Sequence, residues 1–453
     1  MARLFGTDGV RGVANADLSC ALAMKIGAAG AYVLTSGTHR PRILVGADTR
    51  RSGDMLVAAL GAGICSVGGD VVNVGVIPTP AMAYLVREWK ADAAVMVSAS
   101  HNSMEYNGIK WFEGSGFKLS DGLEDEIERL IGTDAALSCP VGAAVGHMAD
   151  KHVEAVAAYE AFLCSTAEVR FDGLRIGLDC ANGAASGIAE RVFAALGAEV
   201  VACGNGPDGC NINDNCGSTH PEGLQALVKT RQAAAGFAFD GDADRVIACD
   251  ENGALVDGDR IMGICAQAMQ QAGTLKGGTL VATVMSNLGL KTRMRALGIH
   301  MEETAVGDRY VMERMRQGGF ILGGEQSGHV IFLEKNTTGD GMLSAIQLLN
   351  VLVKSGRTMS ALAADIPIFP QVLVNVRVEN SQKQAAMEDE AMWALIRDIE
   401  AKLKDTGRVL VRASGTEPLI RIMLEGQDVG EIKALANSIA QVIVENYGGV
   451  IRT

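Results

Sequence analysis

One pattern limits the folds open to this chain more than any other: an apolar run that breaks into small or polar residues, then a helical stretch, then a Gly-led turn into a second short run. It occurs at RILVGADTRRSGDMLVAALGAG (42–63) into GGDVVNVG, at RIGLDCANGAASGIAERVFAALGA (175–198) into GAEVVACG, and at TLVATVMSNLGLKTRMRALG (279–298) into GIHMEETAVG. Each reads as a βαβ unit, in which a right-handed crossover sets two strands parallel. Further along each segment another apolar run ends in a polar loop: AAVMV into SASHN, AAGFAF into DGDADR, and GGFIL into GGEQSGH. Open α/β sheets bind ligands beyond the carboxyl ends of their strands, so three such loops in equivalent places predict three similar mixed α/β domains that share one central active-site cleft.

The last segment differs. A strand at QVLVNVRVEN (371–380), a helical stretch (383–404), a hairpin at GRVLVRASGTEPLIRIMLEG (407–426) and a helix from about Asp428 predict a smaller C-terminal α+β domain behind the linker IPIFPQ. The expected domains are 1–153, 154–255, 256–369 and 370–453, and a chain of this length accommodates them at ~100–200 residues per domain.

Composition narrows the function. A formal charge of −13 argues against nucleic acid and acidic membrane as partners, so an anionic ligand must be captured by local arginines. No run approaches the ~18 apolar residues of a membrane span, and MARLFGTDGVRG reaches Gly6 and Asp8 before a signal core could form, so a cytoplasmic protein is expected. The ten cysteines are scattered, mostly in apolar runs, which is core usage in a reducing compartment; Cys210 and Cys216 lack zinc-site spacing.

The loops carry the chemistry. DGDADR sets Asp240, Asp242 and Asp244 at alternate positions, where carboxylates repel unless a hard cation sits among them, and Mg²⁺ suits few carboxylates plus a phosphate oxygen. A solvated acidic turn is the plain alternative. An EF-hand fails, because Arg245 stands where that loop needs glycine and the flanks read as strands. Arg245 suits a phosphate beside the metal. A phosphatase with a D-x-D nucleophile loop is a second alternative, weakened by the loop's place as one of three equivalents.

RASGTEPLIR joins Arg412, Ser414, Gly415, Thr416 and Arg421 in a nest suited to phosphate, with a plain hairpin as the alternative. FGTDGVRG adds Thr7, Asp8 and Arg11. In GGEQSGH, Glu325 and Ser327 alternate toward one side as hydroxyl-recognising groups, and His329 can transfer protons. In SASHN, a Ser100 hydroxyl opposite the aspartates can carry a phosphoryl group, and Lys110 of NGIK can stabilise charge or move a proton.

Taken in order, FGTDGVRG, SASHN with NGIK, DGDADR, GGEQSGH and RASGTEP resemble the α-D-phosphohexomutases, from near the N-terminus into the fourth segment. FGTDGVRGVAN and Gln326 are similar to the branch that interconverts glucosamine 6-phosphate and glucosamine 1-phosphate, toward UDP-N-acetylglucosamine. A phosphomannomutase/phosphoglucomutase, or a metal-dependent sugar-phosphate phosphatase, remains the alternative. The resemblance implies four domains around a cleft, a phosphorylated Ser100, and Mg²⁺ on Asp240, Asp242 and Asp244 together with the Ser100 phosphate. It implies Arg11 and Arg245 on the transferring group, Glu325 and Ser327 on sugar hydroxyls, and Arg412, Ser414, Gly415, Thr416 and Arg421 on the idle phosphate. Lys110 and His329 become acid/base groups, and glucosamine 1,6-bisphosphate the intermediate and activator. A sugar phosphate is the expected small-molecule partner and a homodimer the candidate assembly. Gln326 and Arg309 of VGDRYV are candidates for the 2-amino group. The family commonly has proline where this chain has Ser103, so the loop after Ser100 loses a φ restraint.

Overall fold

The computed structural model describes residues 3–6, 8–34, 40–133, 137–414 and 417–452, without the side chain of Asp405. It falls into two compact units: Met1–Met285 with Leu297–Asp365, and Ser286–Ala296 with Ile366–Thr453.

The three repeats in the sequence become three sheets. In the first, Arg42–Ala47 pairs in parallel with Asp70–Val76 on one side and Ala93–Val97 on the other, and Tyr106–Glu113 returns antiparallel to Ala93–Val97. In the second, Arg175–Asp179 lies between parallel Glu199–Cys203 and Ala235–Phe239, with Val246–Asp250 returning antiparallel. In the third, Thr279–Thr283 lies between His300–Thr304 and Leu322–Gly324, with Val330–Phe332 returning. Each polar loop therefore leaves the carboxyl end of a central strand and turns back into an antiparallel one. Ala93–Val97, Ala235–Phe239 and Thr279–Thr283 are buried along their whole length, as strands covered by helices on both faces must be.

The first sheet has two additions. Val10–Val13 joins its edge with Arg11 opposite Gly108, and Met148–Asp150 extends the far side. Gly9, at φ +80°, allows this: a Cβ there would lie 2.3 Å from the Ile109 carbonyl oxygen. The α/β sheets are braced by a buried polar knot. Asp340 caps the helix Gly341–Ser355 through the Leu343 amide and also accepts from Tyr159 Oη (2.9 Å) and Asn336 Nδ2 (3.2 Å), while Arg87 reaches Asn336 Oδ1 at 2.9 Å.

The second unit contains the expected α+β segment: strands Gly407–Ala413, Leu419–Gly426 and Gln371–Arg377 in antiparallel order, under helices Asn380–Met387, Glu390–Leu403 and Val429–Tyr447. Two features were not expected from sequence. Val450–Arg452 adds a fourth strand against Gln371–Arg377. The helix Leu288–Ala296 of the third βαβ unit also belongs here, its Leu288 amide donating to Glu425 Oε2 at 2.9 Å and Asn287 Nδ2 donating to the Phe369 carbonyl at 2.9 Å. All ten cysteines are free thiols, and among the described residues no helix is long and apolar enough to cross a membrane.

Candidate active site

The site in the first unit is built on the loops SASHN and DGDADR. Ser98 and Ser100, alike in sequence, part company here. Ser98 is wholly buried, gives its hydroxyl to Asp48 Oδ2 (2.6 Å) and accepts the Ser100 amide (2.9 Å). Ser100 sits at φ +53°, and its Oγ donates to Asp240 Oδ2 at 2.6 Å.

Asp240, Asp242 and Asp244 present carboxylate oxygens within 4.8 Å of one another, all buried. Burial and the charges of Asp244 and Asp242 hold the Asp240 carboxyl well above the usual range. Asp242 Oδ2 is occupied by Thr79 Oγ1 (2.6 Å) and Lys110 Nζ (2.8 Å), yet its buried Oδ1 has no partner. Carboxylates this close, one driven toward protonation and another with an orphaned oxygen, fit a hard divalent cation.

Around them stands a lattice of charge. Lys110, 1% exposed, reaches Asp242 at 2.8 Å, Asp8 at 2.9 Å and Asp244 at 3.8 Å. Burial alone would depress its ammonium, but Asp242, Asp8 and Asp244 outweigh it and hold the pKa above the ordinary lysine range. Asp8 also pairs with Arg11 and Lys118, and against burial Lys110, then Lys118 and Arg11, keep its carboxyl far below the usual range. Lys118 bridges on to Asp308 Oδ2 at 2.5 Å.

His101 Nδ1 faces Arg245 Nη1 at 3.0 Å, a contact in which the imidazole must accept. Burial, then Arg245 and Arg11, push its pKa down to about 4, in keeping with a neutral ring. His329 is buried behind Asp244, its Nδ1 3.7 Å from Asp244 Oδ1 and its Nε2 accepting the Gly339 amide at 3.1 Å. Burial opposes the imidazolium, and Asp244 and Asp308 favour it with a net upward shift. The Gly339 amide works the other way and directs the ring proton to Nδ1, facing Asp244.

In the third loop Glu325 is half-buried and accepts the Gly307 amide at 3.1 Å, while Ser327 is exposed. A cavity of about 690 Å³ is lined by Lys118, Gly307, Asp308, Tyr310, Arg316 and His329, and Glu325 reaches it only through the Gly307 amide. The two candidates for the amino group have other partners: Gln326 Nε2 donates to Asp257 Oδ2 at 3.3 Å, and Arg309 is tied to Asp121, the Leu119 carbonyl (2.8 Å) and Glu124 (3.4 Å).

In the second unit Arg412 and Arg421 are cross-strand partners on the hairpin, and burial followed by Arg421 lowers the Arg412 pKa. Two guanidiniums side by side favour an anion. Ser414 Oγ accepts the Glu417 amide (3.2 Å), and Lys383 Nζ holds the carbonyls of Ser414 (2.7 Å) and Glu417 (3.0 Å). Gly415, Thr416 and Thr7 lie outside the described residues.

Comparison with known proteins fits this layout. Models of phosphoglucomutase/phosphomannomutase alpha/beta/alpha domains I, II and III match residues 2–137, 150–253 and 257–369, and the C-terminal domain of that family matches 373–442. A phosphoglucosamine mutase from Thermoanaerobacter sp. (strain X514) is 53% identical over 98% of this chain and 99% of its own. The chain belongs to the phosphoglucosamine mutases. Among solved structures, a phosphoglucomutase/phosphomannomutase family protein from Burkholderia thailandensis superposes with TM-score 0.80 at 25% identity, covering 98% of this chain and 97% of its own. Aspergillus fumigatus N-acetylphosphoglucosamine mutase shares the fold at TM-score 0.67 and 19% identity, with coverage of 98% and 95%. Membership in the phosphoglucosamine mutases agrees with the sequence resemblance and with its three α/β domains and smaller fourth.

Lys118, Asp308, Thr79 and Lys383 escaped the sequence reading. None lies in a polar break at a strand end, the signal that exposed the other loops.

Proposed function

We propose that this mutase interconverts glucosamine 6-phosphate and glucosamine 1-phosphate by covalent relay through Ser100. The observation that carries the reading is Ser100 Oγ, 2.6 Å from Asp240 at the edge of a buried three-aspartate cluster. The segments 1–153, 154–255, 256–369 and 370–453 then carry the phosphoserine, metal, sugar and phosphate loops.

Phosphorylated Ser100 gives its phosphoryl group to the unphosphorylated end of the sugar phosphate: the P–Oγ bond breaks as a bond to the sugar oxygen forms. The proton lost by the sugar hydroxyl is balanced by reprotonation of the leaving Ser100 Oγ, and Lys110 and His329 are the groups assigned to charge and proton handling there. The resulting glucosamine 1,6-bisphosphate turns over and its other phosphate returns to Ser100. Asp240, Asp242 and Asp244 with the phosphorylated Ser100 would hold a Mg²⁺, which supplies positive charge to the phosphoryl oxygens. Arg11 and Arg245 steady the moving group, Glu325 and Ser327 hold sugar hydroxyls, and Arg412, Ser414 and Arg421, with Gly415 and Thr416, hold the idle phosphate. A sugar carrying phosphate at both ends needs a second phosphate site of this kind.

With Mg²⁺ and a bisphosphate primer, the protein is expected to convert glucosamine 6-phosphate faster than glucose or mannose 6-phosphate, to release little inorganic phosphate, and to lose most turnover on Ser100→Ala. Active enzyme should carry a phosphoryl increment of ~80 Da at Ser100. Equal turnover of mannose 6-phosphate overturns the substrate, continuous phosphate release favours the phosphatase reading, and active enzyme without the increment refutes the relay.

A further inference from the structure

Ser100 occupies a left-handed backbone conformation, φ +53°, which is unfavourable for a non-glycine residue and persists only where surroundings enforce it. The enforcement comes mainly from a side chain outside the SASHN, DGDADR, GGEQSGH and RASGT loops. Arg50, in the turn after Arg42–Ala47, is wholly buried. Its Nε donates to Asp48 Oδ2 (2.9 Å), one terminal nitrogen to the carbonyls of Ser103 and Tyr106 (3.1 Å for Tyr106), and the other to those of Ser100 (2.9 Å) and Asn102 (2.8 Å). A guanidinium has about five N–H donors, and here every one is used.

A second side chain arrives from the DGDADR-bearing segment. Asn213 Nδ2 donates to the carbonyls of Ser100 and Asn102, both at 2.9 Å. Asp48, besides taking Arg50, accepts the Ser98 hydroxyl whose oxygen receives the Ser100 amide. Both backbone polar groups of Ser100 are therefore held from behind, and neither Arg50 nor Asn213 is hydrogen-bonded to Oγ. Four carbonyls between Ser100 and Tyr106 converge on one planar fork, a pattern that lysine, with about three donors on a point charge, has no means to reproduce.

We propose that Arg50 and Asn213 are the positioning residues that fix the direction of Ser100 Oγ. The proposal rests on the phosphoserine reading. Because Asn213 has φ +57°, Asn213→Gly removes the amide without backbone strain, which makes it the cleaner variant should Arg50→Lys fold poorly.

The test uses full-length wild type, Arg50→Lys, Asn213→Gly and Ser100→Ala, with kcat and KM for glucosamine 6-phosphate, melting temperature, and phosphoryl occupancy by intact mass. Misplacing a reacting group by ~1 Å costs about 100-fold, so Arg50→Lys should lower kcat about 100-fold and Asn213→Gly about tenfold, with KM within about threefold. Phosphoryl occupancy after priming should fall in the same order, and the Asn213→Gly melting temperature should stay near wild type. The proposal is overturned if folded Arg50→Lys and Asn213→Gly keep kcat within about threefold of wild type, or if their losses track KM and melting temperature rather than kcat. Active wild type without phosphate on Ser100 removes the phosphoserine reading and this proposal with it. Phosphorylated, active wild type with silent variants removes this proposal alone.

Discussion

Replacing Asp240 with asparagine should stabilise the metal-free protein while removing its response to Mg²⁺. The three carboxylates lie within 4.8 Å. At an effective dielectric near 20, two unit charges at that distance repel by about 3.5 kcal/mol. Lys110, 2.8 Å from Asp242 and 3.8 Å from Asp244, offsets about one of the three charges, leaving roughly one pair's repulsion, about 3.5 kcal/mol. Against this, the amide weakens two hydrogen bonds that the carboxylate accepts, from Ser100 Oγ (2.6 Å) and the Arg245 amide (3.2 Å). The loss is ~0.5–1 kcal/mol each, since bonds to neutral partners are weaker than those to charged ones. The balance is a gain of about 1.5–2.5 kcal/mol without metal. The sign with pH follows from the raised Asp240 carboxyl: its stabilising protonated form is fully present below the unfolded pKa and is lost as pH rises through the folded one, so the variant's advantage grows with pH. Calorimetry with and without Mg²⁺ measures both effects. Wild type should gain about 2.7 kcal/mol at a hundredfold excess over Kd, and the variant far less. A variant destabilised by about 2 kcal/mol without metal, or one with an undiminished Mg²⁺ response, would show that Asp240 is a structural anchor and not a cation ligand under repulsion.

Lys110→Met should cost about 3–5 kcal/mol in urea unfolding at neutral pH, because it leaves Asp8 and Asp242 buried without their shared ammonium; a cost under about 1 kcal/mol contradicts the charge lattice. Asp340, whose carboxyl burial pushes up to about 6, contributes stability that is lost as pH rises through that value. Melting temperatures of Asp340→Asn should therefore gain on wild type as pH rises from about 4 to about 7, and parallel curves would refute the assignment.

The strands and the loops at their ends were readable because burial on both faces demands unbroken apolar runs, and a polar break in such a run is conspicuous. Val450–Arg452 was not, being three residues that become a strand only by pairing with Gln371–Arg377. Side-chain direction was less readable still. Arg309 was expected to meet an amino group, yet its ion-pair partner Asp121 lies 188 positions away in sequence. Lys118 carries no local signature, and its role comes from Asp8 and Asp308, 110 and 190 positions distant. Ser98 and Ser100 were separable in sequence only by resemblance, whereas in the fold Asp48 claims one and Asp240 the other.

The helix Leu288–Ala296 gives the C-terminal unit an unusual tenancy. The chain enters that unit at Ser286, leaves after Ala296 and returns at Ile366. A gene cut at the linker would therefore strand a helix on the wrong side, its Leu288 amide parted from Glu425 and its Asn287 from Phe369. Shuffling the fourth domain among relatives should succeed only when residues 286–296 travel with it, so the exchangeable module is discontinuous in sequence although the linker invites a single cut.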